Sequence, residues 1–160
     1  MPAKARKSEK RARAGKRALV ELEFPSETRY LHMVHQLTKH LAEATGFDGV
    51  ESEKIALAVN EATTNVIQHA YSEKPGHAIE IHFDPGEESL DIVIYHEGKV
   101  LPSLPIPDFD LDKLVAEHSK GGLGLTIMRQ MMDKVEHAKA RGGKSKCVMV
   151  RYKQKSAGRK

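Results

Sequence analysis

The chain has 160 residues and a mass of 17.8 kDa, with 39% hydrophobic residues, 30% charged residues and a single cysteine. That size suits one domain with its own core, one cysteine excludes a disulfide framework and a cysteine-based zinc cluster, and no apolar run approaches the roughly 20 residues of a membrane span. The net charge of +4 hides three blocks: residues 1–17 carry eight Lys/Arg against one acid, 18–138 carry nine against 21 acids, and 139–160 carry nine against none.

The first 17 residues are too polar and too like-charged to pack, which predicts a disordered basic tail. No apolar segment follows that would read as a secretory signal. The folded domain is expected over 18–153, with a second basic tail at 154–160, in a reducing, cytoplasmic setting. The basic ends raise the possibility of nucleic-acid binding, but no aromatic residue in the N-terminal tail offers a base a stacking surface, so nucleic acid is not the expected partner.

Residues 18–24 end in strict alternation and stop at Pro25, the pattern of a strand. Ser26 has the chemistry of a helix N-cap. Leu31, Val34, Leu37, Thr38 and Leu41 then recur at helical spacing up to Gly46. A second helix is expected from near Ser52, with the stripe Ile55, Val59, Ala62, Val66 and Ala70, broken by Lys74-Pro75-Gly76. Residues 78–83 and 89–95 read as strands around the turn Asp84-Pro85-Gly86-Glu87. Residues 98–120, with Pro102, Pro105 and Pro107, form a connection long enough to be a functional lid. A third helix is expected at 125–133, then strands at 135–140 and 146–152 around Gly142-Gly143. Strands outnumber crossover helices, which predicts an α+β two-layer sandwich: a mixed, mainly antiparallel sheet with helices on one face.

Two segments bear chemistry. Glu61 and Asn65 lie four apart, hence on one face of the second helix and one turn apart, at the border of its apolar stripe. A carboxylate and an amide so placed suit a hard cation or a hydroxyl; a polar border to the core is the competing reading. Gly121-Gly122-Leu123-Gly124-Leu125 opens the third helix, where free N–H groups and the positive end of the helix dipole suit an anion such as phosphate. The competing reading is a tight helix entry with no ligand.

Other candidates are plainer. His32, His35, Lys39 and Glu43 share the polar face of the first helix and are expected in solvent, with no third metal ligand at a useful spacing. Met128, Met131 and Met132 have core spacing. Cys147 is expected to be a buried small residue with no base placed to activate it. His82 and His118 have no evident partner.

Residues 61–71, Glu-Ala-Thr-Thr-Asn-Val-Ile-Gln-His-Ala-Tyr, resemble the N box of the GHKL (Bergerat-fold) ATPases, and most closely that of the anti-sigma factor serine/threonine kinases, E-A-x-x-N-x-x-x-H-A-Y. Residues 121–129 with Asp133-Lys134-Val135 resemble their second glycine box. The resemblance spans residues 18–153 and implies an enzyme that binds Mg-ATP and phosphorylates a hydroxyl of an antagonist protein. It implies that Asn65 holds Mg²⁺, that Glu61 positions or deprotonates the hydroxyl, and that Gly121, Gly122, Gly124 and Leu125 wrap the phosphates, while His69 and Ala70 complete the N-box helix. It further implies a STAS-type antagonist and a sigma factor as partners, and a homodimer. The family's first glycine box reads D-x-G-x-G, its Asp accepting from the adenine amino group. Here His96 stands in place of that Asp, Gly98 is kept, and Val100 replaces the last glycine. The alternative is a binding module of the same fold that sequesters a partner without turnover.

Overall fold

The computed structural model describes residues 19–101 and 123–155. The expected tail at 1–17, residues 156–160 of the expected tail at 154–160, most of the expected lid, His118, Gly121 and Gly122 lie outside those residues. In chain order the elements are β1 (Val20–Pro25), a 3₁₀ turn (Thr28–Tyr30), α1 (Leu31–Thr45), α2 (Gly49–Asn65), a π-helical segment (Val66–Ala70), β2 (Ala78–Pro85), β3 (Ser89–His96), α3 (Leu123–Met131), β4 (Lys134–Lys139), a 3₁₀ turn (Arg141–Gly143) and β5 (Ser145–Tyr152).

The five strands form one sheet in the order β1-β2-β3-β5-β4. Every described pairing is antiparallel, so the expected mainly antiparallel sheet contains no parallel pair among the described residues. β4 and β5 form a hairpin, and β5 inserts between β4 and β3. That insertion leaves β3 and β4 running the same way with one strand between them, the outcome of a crossover through α3.

Alternation decides which face is buried. Phe24, Ile79, Ile81, Phe83, Leu90, Ile92, Ile94, Cys147 and Met149 form the inner face and the core. Glu21, Glu23, Glu80, His82, Tyr95 and Lys146 share the other face through their register. There His82 meets Glu80, with Glu21 at 4.0 Å, so His82 has the partners that the sequence did not reveal. The helices form the second layer, with α2 in the middle, packed against α1 on one side and α3 on the other. Met128 and Met132 are buried and Met131 packs against the core, as their spacing predicts. Cys147 is buried, and burial pushes its thiol up to about 12. No described helix is long and apolar enough to cross a membrane.

The structure corrects the sequence reading of the helical layer in three places. Ser26 is no cap: its Oγ donates to the Lys74 carbonyl (2.8 Å) and accepts from the His77 N–H (3.2 Å), pinning the start of the helical layer to the loop before β2. α2 begins at Gly49 because Asp48 Oδ1 accepts from the Glu51 N–H at 2.8 Å, and Ser52 is buried one turn inside. His35 and Lys39 are not free in solvent, since both pair with Glu53 of α2, at 2.8 and 3.1 Å.

Candidate functional site

Glu61 and Asn65 sit at the C-terminal end of α2, one turn apart and both half-buried. Burial pushes the Glu61 carboxyl above the usual carboxylate range, which brings it nearer to the working range of a general base. The sequence stripe runs on to Ala70, but the helix does not keep its period. From Val66 to Ala70 it widens into a π turn, which delays the following residues by part of a turn. Val66, Ile67 and Tyr71 therefore face the core, while His69 is exposed and Ala70 only partly covered.

That phase shift gives Tyr71 a role invisible in the linear pattern. Its ring is buried and stacks on His77, 4.5 Å between centroids. Its hydroxyl donates to the Ala78 carbonyl (2.8 Å) and accepts from the Glu97 N–H (2.7 Å). The end of the α2 segment is thus bonded to the start of β2 and to the turn that follows β3.

The same turn carries the expected first glycine box. His96 is the last residue of β3, on the inner face, and only 3% exposed. Its Nδ1 lies 2.9 Å from the Glu97 carbonyl oxygen. Gly98 has φ +98°, and a β-carbon built there would stand 3.1 Å from the Ala70 carbonyl oxygen. Both the positive φ and the close approach require glycine. Gly98→Ala is expected to destabilise the fold by about 1–3 kcal/mol, the usual cost of a side chain in such a backbone conformation. A denaturant midpoint unchanged from wild type would refute that account.

Ser145 was missed by the sequence reading. It pairs with His96 across β3 and β5, is 3% exposed, and donates from Oγ to the Gly98 carbonyl at 3.1 Å. No local signal could have found it, because the β3–β5 register joins residues about 50 apart in the chain. His137, on the inner face of the edge strand β4, is opposite Cys147 and close enough for His96 to act on its charge.

Burial lowers the pKa of both His96 and His137; nearby His96 and Arg129 add to the effect on His137. The unfolded chain would titrate both near the ordinary value of 6.5. Below that pH the unfolded state binds more protons than the folded one, so stability falls as the solution is acidified through this range. Thermal midpoints should therefore drop from neutral pH toward mildly acid pH. A His137→Asn variant should show a shallower drop; an unchanged slope would exclude His137 as a contributor.

α3 opens at Leu123, with Gly124 and Leu125 in its first turn, and it packs against α2. Of the six sequence-expected positions that are described, Glu61 and Asn65 lie on α2, His96 and Gly98 meet the segment that continues it, and Gly124 and Leu125 begin the helix packed against it. Among the described residues no group of three or more His, Cys, Asp or Glu could hold a metal ion. A cation here would need phosphate or water oxygens beside Asn65, which is how Mg²⁺ is commonly held.

A family model described as a histidine kinase-like ATPase domain matches residues 24–152. The serine-protein kinase RsbW of Bacillus subtilis is 30% identical over 128 residues, 72% of this chain and 75% of that protein. The protein of the same name from Bacillus velezensis is 28% identical over 129 residues, 73% and 76% of the two chains. Among solved structures, the RsbU and RsbW domains of a Mycobacterium tuberculosis protein match with a TM-score of 0.58 at 12% identity. That match covers 84% of this chain and 32% of the other.

Proposed function

Because the chain belongs to the histidine kinase-like ATPase domain family, we propose that it is a serine/threonine protein kinase of the anti-sigma factor type, which binds Mg-ATP and phosphorylates an antagonist protein. The observation that carries this reading is the packing of α2, with Glu61 and Asn65, against α3, which opens at the second glycine box. The first glycine turn closes on the end of the same α2 segment through Tyr71 and Gly98.

The Asn65 amide oxygen would hold the metal, and the first turn of α3 would offer its free N–H groups to the phosphates. Mg²⁺, when bound, would supply charge neutralisation for the phosphates. Glu61 accepts the proton of the attacking serine or threonine hydroxyl as its oxygen bonds to the γ-phosphorus. The bond from that phosphorus to the β-phosphate oxygen breaks, and ADP leaves. A raised carboxyl pKa makes Glu61 a better proton acceptor than a solvated carboxylate. Catalysis is then chiefly positioning and charge neutralisation.

The substrate in this reading is a STAS-type antagonist, with a sigma factor as the sequestered partner and a homodimer as the working form. A second reading, a binding module without turnover, draws its support from His96 in the position of the family's Asp. A fluorescent ATP analogue titrated with and without Mg²⁺ separates the two, followed by phosphate transfer to STAS-domain proteins of the source organism. Mg-dependent binding with transfer supports the kinase; partner binding without nucleotide binding supports the module.

A further inference from the structure

Near the end of β5 the inner face of the sheet carries an arginine. Arg151, opposite Leu90 of β3, follows Ser145, Cys147 and Met149 in alternation and so points toward the helices. Its side chain is 15% exposed and meets carboxylates from two separate elements. Nε donates to Glu51 Oε2 at 3.0 Å, and Nη2 donates to the same oxygen. Nη1 stands 3.6 Å from Asp133 Oδ1. Glu51 belongs to the first turn of α2, and Asp133 lies just past the end of α3. The other oxygen of each carboxylate is held as well: Glu51 Oε1 accepts from Lys54 (3.2 Å), and Asp133 Oδ2 accepts from the Tyr152 N–H (2.7 Å). Burial raises the Glu51 carboxyl, but the bonds from Arg151 and Lys54 prevail and hold it below the usual carboxylate range. One guanidinium therefore ties the start of α2 and the exit of α3 to β5, a fork that a lysine ammonium does not reproduce.

That anchor sets the direction of the helix pair. α3 packs against α2, and its C-terminal end lies at the N-terminal end of α2, so the two run antiparallel. The nine residues of α3 span about 13 Å, and the path along α2 from Glu51 to Glu61 spans about 15 Å. The first turn of α3 therefore stands level with Glu61, one turn short of Asn65. A change in the height or tilt of α3 at its anchored end is carried along the helix to that turn.

We propose that Arg151 is a positioning residue for the nucleotide site: by clamping Glu51 and Asp133 it fixes the height and tilt of α3 on α2, and with them the distance between the second glycine box and Asn65. This rests on the nucleotide-binding reading above and extends it to a residue at the far end of the helical layer. The clamp lies about 20 Å along α2 from Asn65, more than twice the roughly 8 Å over which salt screens a charge. Arg151 therefore acts on a phosphate through geometry and not through its own charge. Geometry is enough, because a misplacement of about 1 Å from a distant change already costs a site much of its function.

The test uses the full chain in two variants. Arg151→Met keeps the apolar stem and removes the fork; Arg151→Met with Glu51→Gln also removes the carboxylate left unpaired. The single variant should lose thermal stability, because it leaves a part-buried charge without its partner, and the double variant should regain most of it. Affinity for a fluorescent ATP analogue with Mg²⁺ should fall about tenfold in both variants alike, the equivalent of one charge-assisted hydrogen bond to phosphate, since neither variant holds α3 in place. A double variant that recovers affinity along with stability makes Arg151 a support of the fold only and overturns the inference, as does a single variant that binds like wild type. In the double variant amide exchange should quicken in α3 and stay as in wild type in β2 and β3. An α3 protected as in wild type refutes the clamp without reference to any ligand. Failure of the wild-type chain to bind the analogue overturns the nucleotide reading itself, and the exchange measurement then decides the clamp alone.

Discussion

Replacing Glu61 by alanine should lower phosphoryl transfer to the antagonist by about 10²–10⁴-fold, the range expected when a positioned base is removed. Nucleotide affinity should stay near wild type, because in the proposed mechanism the carboxylate acts on the hydroxyl and not on the phosphates. The physical basis is local. Glu61 stands on α2 one turn before Asn65, half-buried, and burial raises its carboxyl pKa. The alanine variant keeps the helix, since alanine is the best helix former. Transfer measured under single-turnover conditions separates chemistry from binding. Transfer that persists at the wild-type rate would remove Glu61 from the reaction, whatever the fate of nucleotide binding.

Asn65→Ala should abolish the part of nucleotide affinity that depends on Mg²⁺. Loss of an outer-shell partner at a metal site already costs about 10–100-fold in affinity, and a direct ligand counts for more. The expected signature is a titration that is insensitive to Mg²⁺ and matches wild type in EDTA. Asn65 is the last residue of regular α2, just before the π turn, so removal of its amide leaves the buried side of the helix, Val59, Ala62 and Val66, untouched. A variant that retains the Mg²⁺ increment would show that the cation is held elsewhere. Together the two variants are expected to make a dissociable pair, the Glu61 variant losing transfer without affinity and the Asn65 variant losing the metal-dependent part of the affinity.

Much of this architecture is legible in local patterns. The alternation in β2 and β3 marks both strands to within two residues at each end, because a sheet with one buried face must alternate. The stripe Ile55, Val59, Ala62 and Val66 marks the buried side of α2 for the same kind of reason. The spacing of Glu61 and Asn65 places them on one helix face without knowledge of the rest of the chain.

Other features are settled by contacts between distant segments. Ser26 has the chemistry of a cap, yet it is recruited by Lys74 and His77, about 50 residues away. His35 and Lys39 read as a solvated face until α2 brings Glu53 against them. The π turn after Asn65 carries no local signature in the sequence. It puts Tyr71 rather than Ala70 at the core, and so gives the β3 turn its anchor.

The linear order of residues alone therefore determined the strands, the apolar side of α2 and the facing pair Glu61 and Asn65. Those follow from periodicity and side-chain chemistry, which act over a few residues. Tertiary structure alone decided that Ser145 adjoins His96, that Tyr71 fixes the Glu97 peptide, and that His96 is a buried ring bonded through Nδ1 to the Glu97 carbonyl. Sheet register and burial depend on chain segments far apart in sequence, and only their packing selects which polar atoms meet.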